Sequence, residues 1–319
     1  VNALPLVYAG EDATIPYGAS RTLNASVSGT GPFTYSWTPS AQLLNASIED
    51  PTTTNLTATT IFTLVATSTS TSCSNSDAVT ITVSGGALNA TPTATPGTVC
   101  AGAQVQLNAG ASGGSGTNTY LWTSDPAGFT STLANPTANP SVNTIYYVAV
   151  NDGITTVNAQ VSVTVNALPA VTLQAAGPFC VNAAAVQLNG SPGGGSYSGT
   201  GVNTSGLFTP ATAGPGSHVI TYIFTDASSC TNSATTTITV NALPAQPTIS
   251  AGGPTTFCTG GSVTLNSSSA SGYSWSTGST SQSIVVNSTG SYTVRVTDGN
   301  GCQSAASVAT VVTVNALPV

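Results

Sequence analysis

The chain has 319 residues, of which only 3% are charged, and its formal net charge is −7. Arg21 and Arg295 are its two cations and it has no lysine, so it lacks the basic patch that nucleic acids and anionic membrane surfaces attract. No apolar run approaches the ~20 residues that cross a bilayer, so we expect neither a nucleic-acid partner nor membrane insertion.

One short sequence, Val-Asn-Ala-Leu-Pro, recurs along the chain at residues 1–5, 165–169, 240–244 and 314–318. A degenerate copy at 84–92 follows the run TITV, and the valines that mark the five joints lie 82, 82, 75 and 74 residues apart. A fixed period of this size indicates a repeat architecture. We therefore expect a segment of a longer repetitive polypeptide, with repeats at residues 1–84, 85–166, 167–241 and 242–319.

Within each repeat, short alternating runs predict strands in the same order. The second predicted strand lies at 22–26, 105–110, 186–191 and 263–268. The third carries the predicted core aromatics Trp37, Trp122 and Trp275, with Tyr197 in the third repeat. The penultimate strand lies at 61–67, 145–152, 218–226 and 292–298, and a long last strand is predicted from Gln303 to Val314. Short strands separated by Gly, Pro and Asn turns predict an all-β fold of four tandem Ig-like β-sandwiches, with almost no helix.

The joint is too short to be a flexible linker. Only Asn-Ala-Leu-Pro separates the last strand of one repeat from the first strand of the next. Proline fixes its own φ and restricts the residue before it, unlike a Gly/Ser coil. We therefore expect an extended, stiff rod of modules that contact only their sequence neighbours.

Six cysteines occupy two recurrent positions. In repeats three and four, Cys180 and Cys258 precede the second strand, whereas Cys230 and Cys302 follow the turn before the last strand. This recurrence predicts the bonds Cys180–Cys230 and Cys258–Cys302, each stabilising its repeat by roughly 4 kcal/mol. Disulfides are typical of an extracellular compartment.

Repeats one and two each keep one of the two cysteine positions. Cys73 matches the second position and Cys100 the first, while Pro16 and Thr156 stand at the other two. Cys73 begins a strand of about ten residues that runs to the joint, which would place it some 30 Å from Cys100. A disulfide needs Cα atoms within about 7 Å, so we expect Cys73 and Cys100 to be free or to form inter-chain bonds.

The sequence offers no catalytic, cofactor or metal site. The single histidine, His218, lies on a predicted strand, and the nine carboxylates are scattered singly or in adjacent pairs. Glycosidase chemistry needs two converging carboxylates, and zinc needs clustered Cys or His ligands. Asp152, Asp226 and Asp298 recur after the penultimate strand, where Asx turns explain them. We expect no enzyme.

The third repeat, with GGSYSGTGV and GPGSHVITYIFTDASSCTNSATTTITVNALP, resembles the Ig-like or PKD-like repeats of giant surface adhesins of the Bacteroidota. The fourth, with TFCTGGSVTLNSS and SYTVRVTDGNGCQS, is similar to the commoner repeat of those proteins, which include the SprB-type gliding-motility adhesins. The resemblance implies type IX secretion and display as a cell-surface filament that serves adhesion and gliding motility. It implies no catalytic residues.

Two functions therefore remain open. The first is a structural segment of an extracellular filament or adhesin stalk, whose partners are neighbouring repeats and, through uncharged sheet faces, other fibres. The second is a set of carbohydrate- or protein-binding modules that contact a surface or glycan. The candidate contact residues for that second function are Tyr8, Tyr17, Tyr120 and Tyr273.

Overall fold

The computed structural model describes residues 2–317. Val1 and Pro318, which belong to the first and last copies of the joint sequence, lie outside this range. The chain divides after Ala167 into two compact units. The first unit contains two hydrophobic cores and the second contains two more, and each core falls within one predicted repeat. The fold is a tandem series of Ig-like β-sandwiches; the exact repeat boundaries stay a prediction.

In the first repeat, a four-stranded sheet packs against a two-stranded one. The strands are β1 (Leu6–Tyr8), β2 (Ala13–Pro16), β3 (Ser26–Ser28), β4 (Phe33–Thr38), β5 (Thr60–Ser68) and β6 (Ser74–Ser84). The larger sheet has the order β2-β6-β5-β4, and β1 pairs with β3. The core takes Val7 from the small sheet and Trp37, Phe62 and Ile81 from the large one. Ser40–Gln42 forms a single 3-10 turn.

The second repeat has the largest sheet. Its strands are β7 (Gly86–Ala90), β8 (Thr93–Thr95), β9 (Thr98–Cys100), β10 (Val105–Asn108), β11 (Ala111–Gly114), β12 (Thr119–Asp125), β13 (Thr130–Ser131), β14 (Thr137–Ala138), β15 (Thr144–Asn151) and β16 (Thr156–Asn166). The sheets have the orders β13-β12-β15-β16-β9, β14-β10-β8 and β11-β7. Gly85, which replaces a joint residue here, has φ +80°, and a Cβ on it would lie 2.4 Å from the Gly114 carbonyl oxygen. The degenerate joint therefore requires glycine.

The third repeat follows the same plan, with several two-residue strands beside one long hairpin. They are β17 (Thr172–Leu173), β18 (Phe179–Cys180), β19 (Val186–Gln187), β20 (Gly190–Ser191), β21 (Ser196–Ser198), β22 (Leu207–Phe208), β23 (Gly216–Thr225) and β24 (Thr231–Asn241). The sheets have the orders β18-β24-β23-β21, β17-β20 and β19-β22. Helix α1 is one turn, Pro210–Ala213. The long hairpin β23–β24 alternates threonine with buried Ile220 and Ile238, which is the period of a half-buried strand.

The fourth repeat has the strands β25 (Ile249–Ala251), β26 (Thr256–Cys258), β27 (Val263–Ser267), β28 (Gly272–Trp275), β29 (Ser283–Val286), β30 (Gly290–Tyr292), β31 (Val294–Thr297) and β32 (Thr310–Asn315). The sheets have the orders β25-β27-β29, β26-β32-β30 and β28-β31. The predicted continuous strand from Gln303 to Val314 is wrong in its first half. There, Ser304 and Ser307 are buried, and their hydroxyls accept hydrogen bonds from the backbone of β31 at 3.0 and 3.1 Å. The backbone N–H groups of the same two serines donate to the carbonyls of Val296 and Val294 at 2.9 and 2.8 Å, so side-chain and backbone bonds together form an irregular pairing with β31.

Candidate functional site: two cysteine positions at opposite ends of the repeats

The first cysteine position lies at the end of the repeat where the chain leaves it. In every repeat a short strand runs parallel to the last strand, and the position lies opposite the final residue of that last strand. The paired residues are Pro16 with Ser84, Cys100 with Asn166, Cys180 with Asn241, and Cys258 with Asn315. In repeats two to four this final residue is the asparagine of the joint, so the first position marks the exit of each repeat.

The second cysteine position lies in the turn before the last strand. The carbonyls of Cys73, Cys230 and Cys302 each accept a backbone hydrogen bond across that turn, at 2.9–3.0 Å. The residues just before them are Ser72, Ser229 and Gly301, with φ of 57°, 63° and 80°. In the turns at Cys230 and Cys302 the bonded residues are four apart in sequence, whereas the turn at Cys73 is one residue longer and also places a residue of positive φ before the cysteine.

Aspartates shape this turn, which confirms the predicted Asx turns. The Oδ1 atom of Asp226 accepts the N–H of Cys230 at 2.9 Å, and that of Asp298 accepts the N–H of Cys302 at 2.8 Å. In repeat two, Asp152 accepts the N–H of Thr155 at 2.7 Å. Hydrogen bonds from the backbone of Thr155, and then of Ile154, hold the pKa of Asp152 below its usual value.

The two positions lie at opposite ends of the same sandwich. Cys180 is opposite Asn241, the last residue of β24, whereas Cys230 directly precedes Thr231, the first. At ~3.3 Å per residue, this strand of 11 residues separates the two ends by roughly 35 Å. A disulfide between them is geometrically excluded. The predicted bond Cys180–Cys230 is therefore wrong.

The observed bond joins consecutive repeats. Cys180 of repeat three is bonded to Cys302 of repeat four, with a Cα–Cα distance of 5.6 Å and a sequence separation of 122. The predicted bond Cys258–Cys302 is wrong for the same reason, because Cys258 lies at the exit end of repeat four opposite Asn315. The exit of one repeat meets the turn of the next, and the disulfide crosses that joint.

The remaining cysteines also differ in part from the prediction. Cys100, predicted to be free or inter-chain, is disulfide-bonded, as is Cys230. Cys258, predicted to be bonded, is free and exposed, whereas Cys73 is free and half-buried. The prediction failed because it paired cysteines by repeat. The sequence did contain a signal for the correct pairing. Repeat one lacks the cysteine at its exit and repeat two lacks the cysteine in its turn, and these two positions lie at the same joint.

The joint between repeats one and two shows this arrangement without a disulfide. A Cβ built on Gly18, two residues after Pro16, would lie 3.5 Å from the side chain of Ile154, in the turn of repeat two. Thr156 was predicted at the second cysteine position, and the strand register corrects this residue to Thr155. Thr156 is the first paired residue of β16, as Thr231 is of β24, so the residue before it, Thr155, corresponds to Cys230. Exit and turn therefore meet here as well, with both cysteines replaced.

A second feature of the joint was missed from the sequence. Asn75 donates through Nδ2 to the carbonyl of Pro5, and Asn232 donates in the same way to Pro169, both at 2.9 Å. Each asparagine lies two residues after a second-position cysteine, so the recurrent Cys-x-Asn sequence was the available signal. The bond fixes the joint proline against the last strand of the repeat that it enters.

The three tryptophans predicted for the core lie in three separate cores. Trp37, Trp122 and Trp275 are 1%, 0% and 3% exposed. Their indole N–H groups donate to backbone carbonyls at 3.1, 3.0 and 2.8 Å, which satisfies the polar atom that burial would otherwise penalise. Tyr197 takes this place in repeat three, and its hydroxyl donates to the Leu188 carbonyl at 3.0 Å.

The described residues contain no group of three or more acidic, histidine or cysteine side chains that could hold a metal. His218 Nε2 lies 2.9 Å from the Gly214 carbonyl oxygen, an internal contact of its own repeat. Between residues 2 and 317, no helix has the length and apolar character needed to cross a membrane. The disulfides are typical of an extracellular protein.

The candidate ligand-contacting tyrosines differ in exposure. Tyr8 is 45% exposed and lines a surface groove of about 250 Å³ with Glu11 and Arg21. Tyr120 and Tyr273 pack against the cores of their repeats. Among these, Tyr8 presents the most open ring.

No protein-family model matches the chain, and no curated protein matches it. Solved structures that match include the I-band fragment I67–I69 of titin, at 13% identity and a TM-score of 0.37 over 75% of this chain and 99% of that one. The D1–D4 ectodomain fragment of ICAM-5 matches at 11% identity and a TM-score of 0.36, over 97% and 99%. A Ca²⁺-stabilised adhesin that helps an Antarctic bacterium bind ice matches at 14% identity and a TM-score of 0.37, over 99% and 100%. Similarities at this level identify neither a family nor a ligand.

Proposed function

We propose that this chain is a structural segment of an extracellular filament or adhesin stalk. The observation that carries the proposal is the Cys180–Cys302 disulfide, which joins two consecutive repeats across their joint. Such a bond limits bending at the joint and transmits tension from one repeat to the next without unfolding either. A stalk needs both properties, whereas a set of independent binding domains needs neither.

The proposed setting follows the resemblance of repeats three and four to gliding-motility adhesins. The chain would be secreted by the type IX route and displayed on the cell surface, where it would serve adhesion and gliding motility. Its partners would be neighbouring repeats of the same chain. Only 3% of the residues are charged, so little electrostatic repulsion opposes lateral association into fibres.

Electron microscopy of native cell-surface material tests this function. We expect straight filaments that become more flexible, at the joints that a disulfide crosses, after treatment with a reductant. A matched sample treated with the oxidised form of the same reagent is the control. Isolated particles that bend freely before reduction would refute the stalk function.

The alternative function is a set of binding modules, and the Tyr8 groove favours it. An exposed ring beside Arg21 and Glu11 offers stacking and hydrogen bonding to a sugar. Binding to a glycan array that is lost in Tyr8→Ala, but kept in Tyr147→Ala outside the groove, would support this alternative. Equal binding by both variants, or none by the parent chain, would exclude the groove as the site.

A further inference from the structure

We infer that the Tyr8 groove of repeat one takes an acidic sugar, a hexuronic acid residue whose carboxylate pairs with Arg21. Glu11 also lines the groove, whose volume is about 250 Å³. Because this volume is below the ~300 Å³ at which sites for drug-sized ligands begin, the groove suits a single sugar residue. The inference rests on the alternative binding function proposed above, and it names the ligand class of that function.

Arg21 stands where the other repeats have a valine. All four repeats place Leu-Asn two residues after this position, which fixes the alignment. Val105 and Val263, the equivalents in repeats two and four, are 0% and 3% exposed, whereas Arg21 is exposed. Repeat one therefore presents a cation to solvent at a place that repeats two and four use for their cores.

The backbone around the groove is closely packed. The N–H of Arg21 donates to Thr53 Oγ1 at 3.0 Å, and its carbonyl accepts the N–H of Thr53 at 2.9 Å. Gly10, which also lines the groove, has φ +100°, and a Cβ on it would lie 2.8 Å from the Asn24 carbonyl oxygen. A groove held in this way is formed before the ligand arrives, which lowers the ordering cost of binding.

The charged side chains of repeat one divide into two groups. Four carboxylates accept backbone N–H groups and so stabilise the fold. They belong to Asp12, Glu49, Asp50 and Asp77. The side chains of Glu11 and Arg21 make no hydrogen bond or ion pair with residues 2–317. The two charged groups that the fold of this repeat does not use therefore line one groove, beside the Tyr8 ring, which is 45% exposed.

A hexuronic acid matches these three groups. Its carboxylate lies at one edge of the sugar ring, and its hydroxyls lie along the other edges. The guanidinium of Arg21 is a planar fork of N–H donors that binds a carboxylate through two hydrogen bonds. The Glu11 carboxylate accepts hydrogen bonds from hydroxyls, and the Tyr8 ring stacks on the C–H face of the sugar. Because Glu11 repels further negative charge, a sulfated sugar fits less well.

The groove lies midway along its sandwich, away from both joints. Val79, which lines it, is the sixth of the eleven residues of β6. At ~3.3 Å per residue, this residue is roughly 17 Å from each end of the strand. Neighbouring repeats meet a repeat at its ends, so the groove stays open in a chain of any length.

Matched pairs of sugars test the inference. The probes are oligosaccharides of glucuronate, galacturonate and mannuronate, each beside its methyl ester, which carries no charge. In titration calorimetry on the full chain at low ionic strength, we expect at least one acid to bind about tenfold more tightly than its ester, because hydrogen bonds to charged groups are stronger. Added salt should weaken binding of the acid but not of the ester.

Variants test whether Arg21 carries this preference. Arg21→Gln should reduce the affinity for the acid to that for the ester. The matched control is Arg295→Gln, which removes the other cation of the chain and should keep the preference. Arg295 donates to the Ser304 carbonyl of its own repeat at 3.0 Å, outside the groove. Tyr8→Ala should weaken acid and ester alike, because stacking does not depend on the charge.

Several outcomes would overturn the inference. An ester, or a sulfated galactan oligosaccharide, bound as tightly as the acids would show that the groove does not select a carboxylate, although the binding function would stand. A preference for the acid that survives Arg21→Gln would place the site elsewhere. Binding of none of these probes would also overturn the inference, and the glycan array would then decide separately whether the groove binds another sugar.

Discussion

Reducing the Cys180–Cys302 bond should lengthen the chain under tension by a defined amount. With the bond intact, the chain between the two cysteines, a sequence separation of 122, is bypassed by a link whose Cα atoms lie 5.6 Å apart. A fully extended residue contributes 3.3–3.6 Å, so opening the bond adds about 400 Å of contour length. This increment is large compared with the size of a folded repeat.

Single-molecule force spectroscopy measures the increment directly. The other cysteines, Cys73, Cys100, Cys230 and Cys258, are changed to serine, so that one described disulfide remains. Once the repeats have unfolded under force, adding a reductant should release a step of about 400 Å. The same chain with Cys180→Ser in addition is the control and should show no step. An unchanged extension after reduction would refute the inter-repeat bond.

Three further predictions follow from the same structure. Cys302→Ser removes the loop closure and should lower the free energy of unfolding by about 5 kcal/mol on the loop-entropy model, measured by denaturant titration, whereas Cys73→Ser should change it little. Asn232→Ala removes the hydrogen bond to the joint proline and should cost about 1 kcal/mol in the same titration, against no change for the exposed Asn287→Ala. Because the pKa of Asp152 is lowered in the folded state, its contribution should be present above its unfolded pKa of about 3.9 and be lost as pH falls through the folded pKa. Asp152→Asn should therefore lose stability at pH 7 but little at the lowest pH, and a parallel loss at every pH would contradict this.

The repeated strands could be predicted because local sequence determines them. Val263 and Leu265 alternate with polar residues and are 3% and 0% exposed, as a half-buried strand requires. The alternating sequence pattern did not predict the true extent of the last strand of repeat four. There, Ser304 and Ser307 look like ordinary strand residues, but tertiary contacts draw them into the interior.

The disulfide connectivity could not be read from recurrence alone. Two cysteines in one repeat give a short loop, which makes them look like partners, yet sequence spacing does not say which end of a sandwich each one occupies. That information comes from the parallel pairing of β18 with β24, which places Cys180 at the exit. Parallel pairing joins residues distant in sequence and leaves no local signature.

Mapping the disulfides of the native chain tests the central claim that a covalent bond crosses the joint between repeats three and four. Trypsin is unsuitable because the chain has two arginines and no lysine, so pepsin digestion at low pH, which also suppresses disulfide exchange, is the method of choice. Mass spectrometry without reduction should find the peptide of Cys180 linked to the peptide of Cys302. Peptides that instead link Cys180 to Cys230, and Cys258 to Cys302, would show that each repeat closes on itself and would contradict the account.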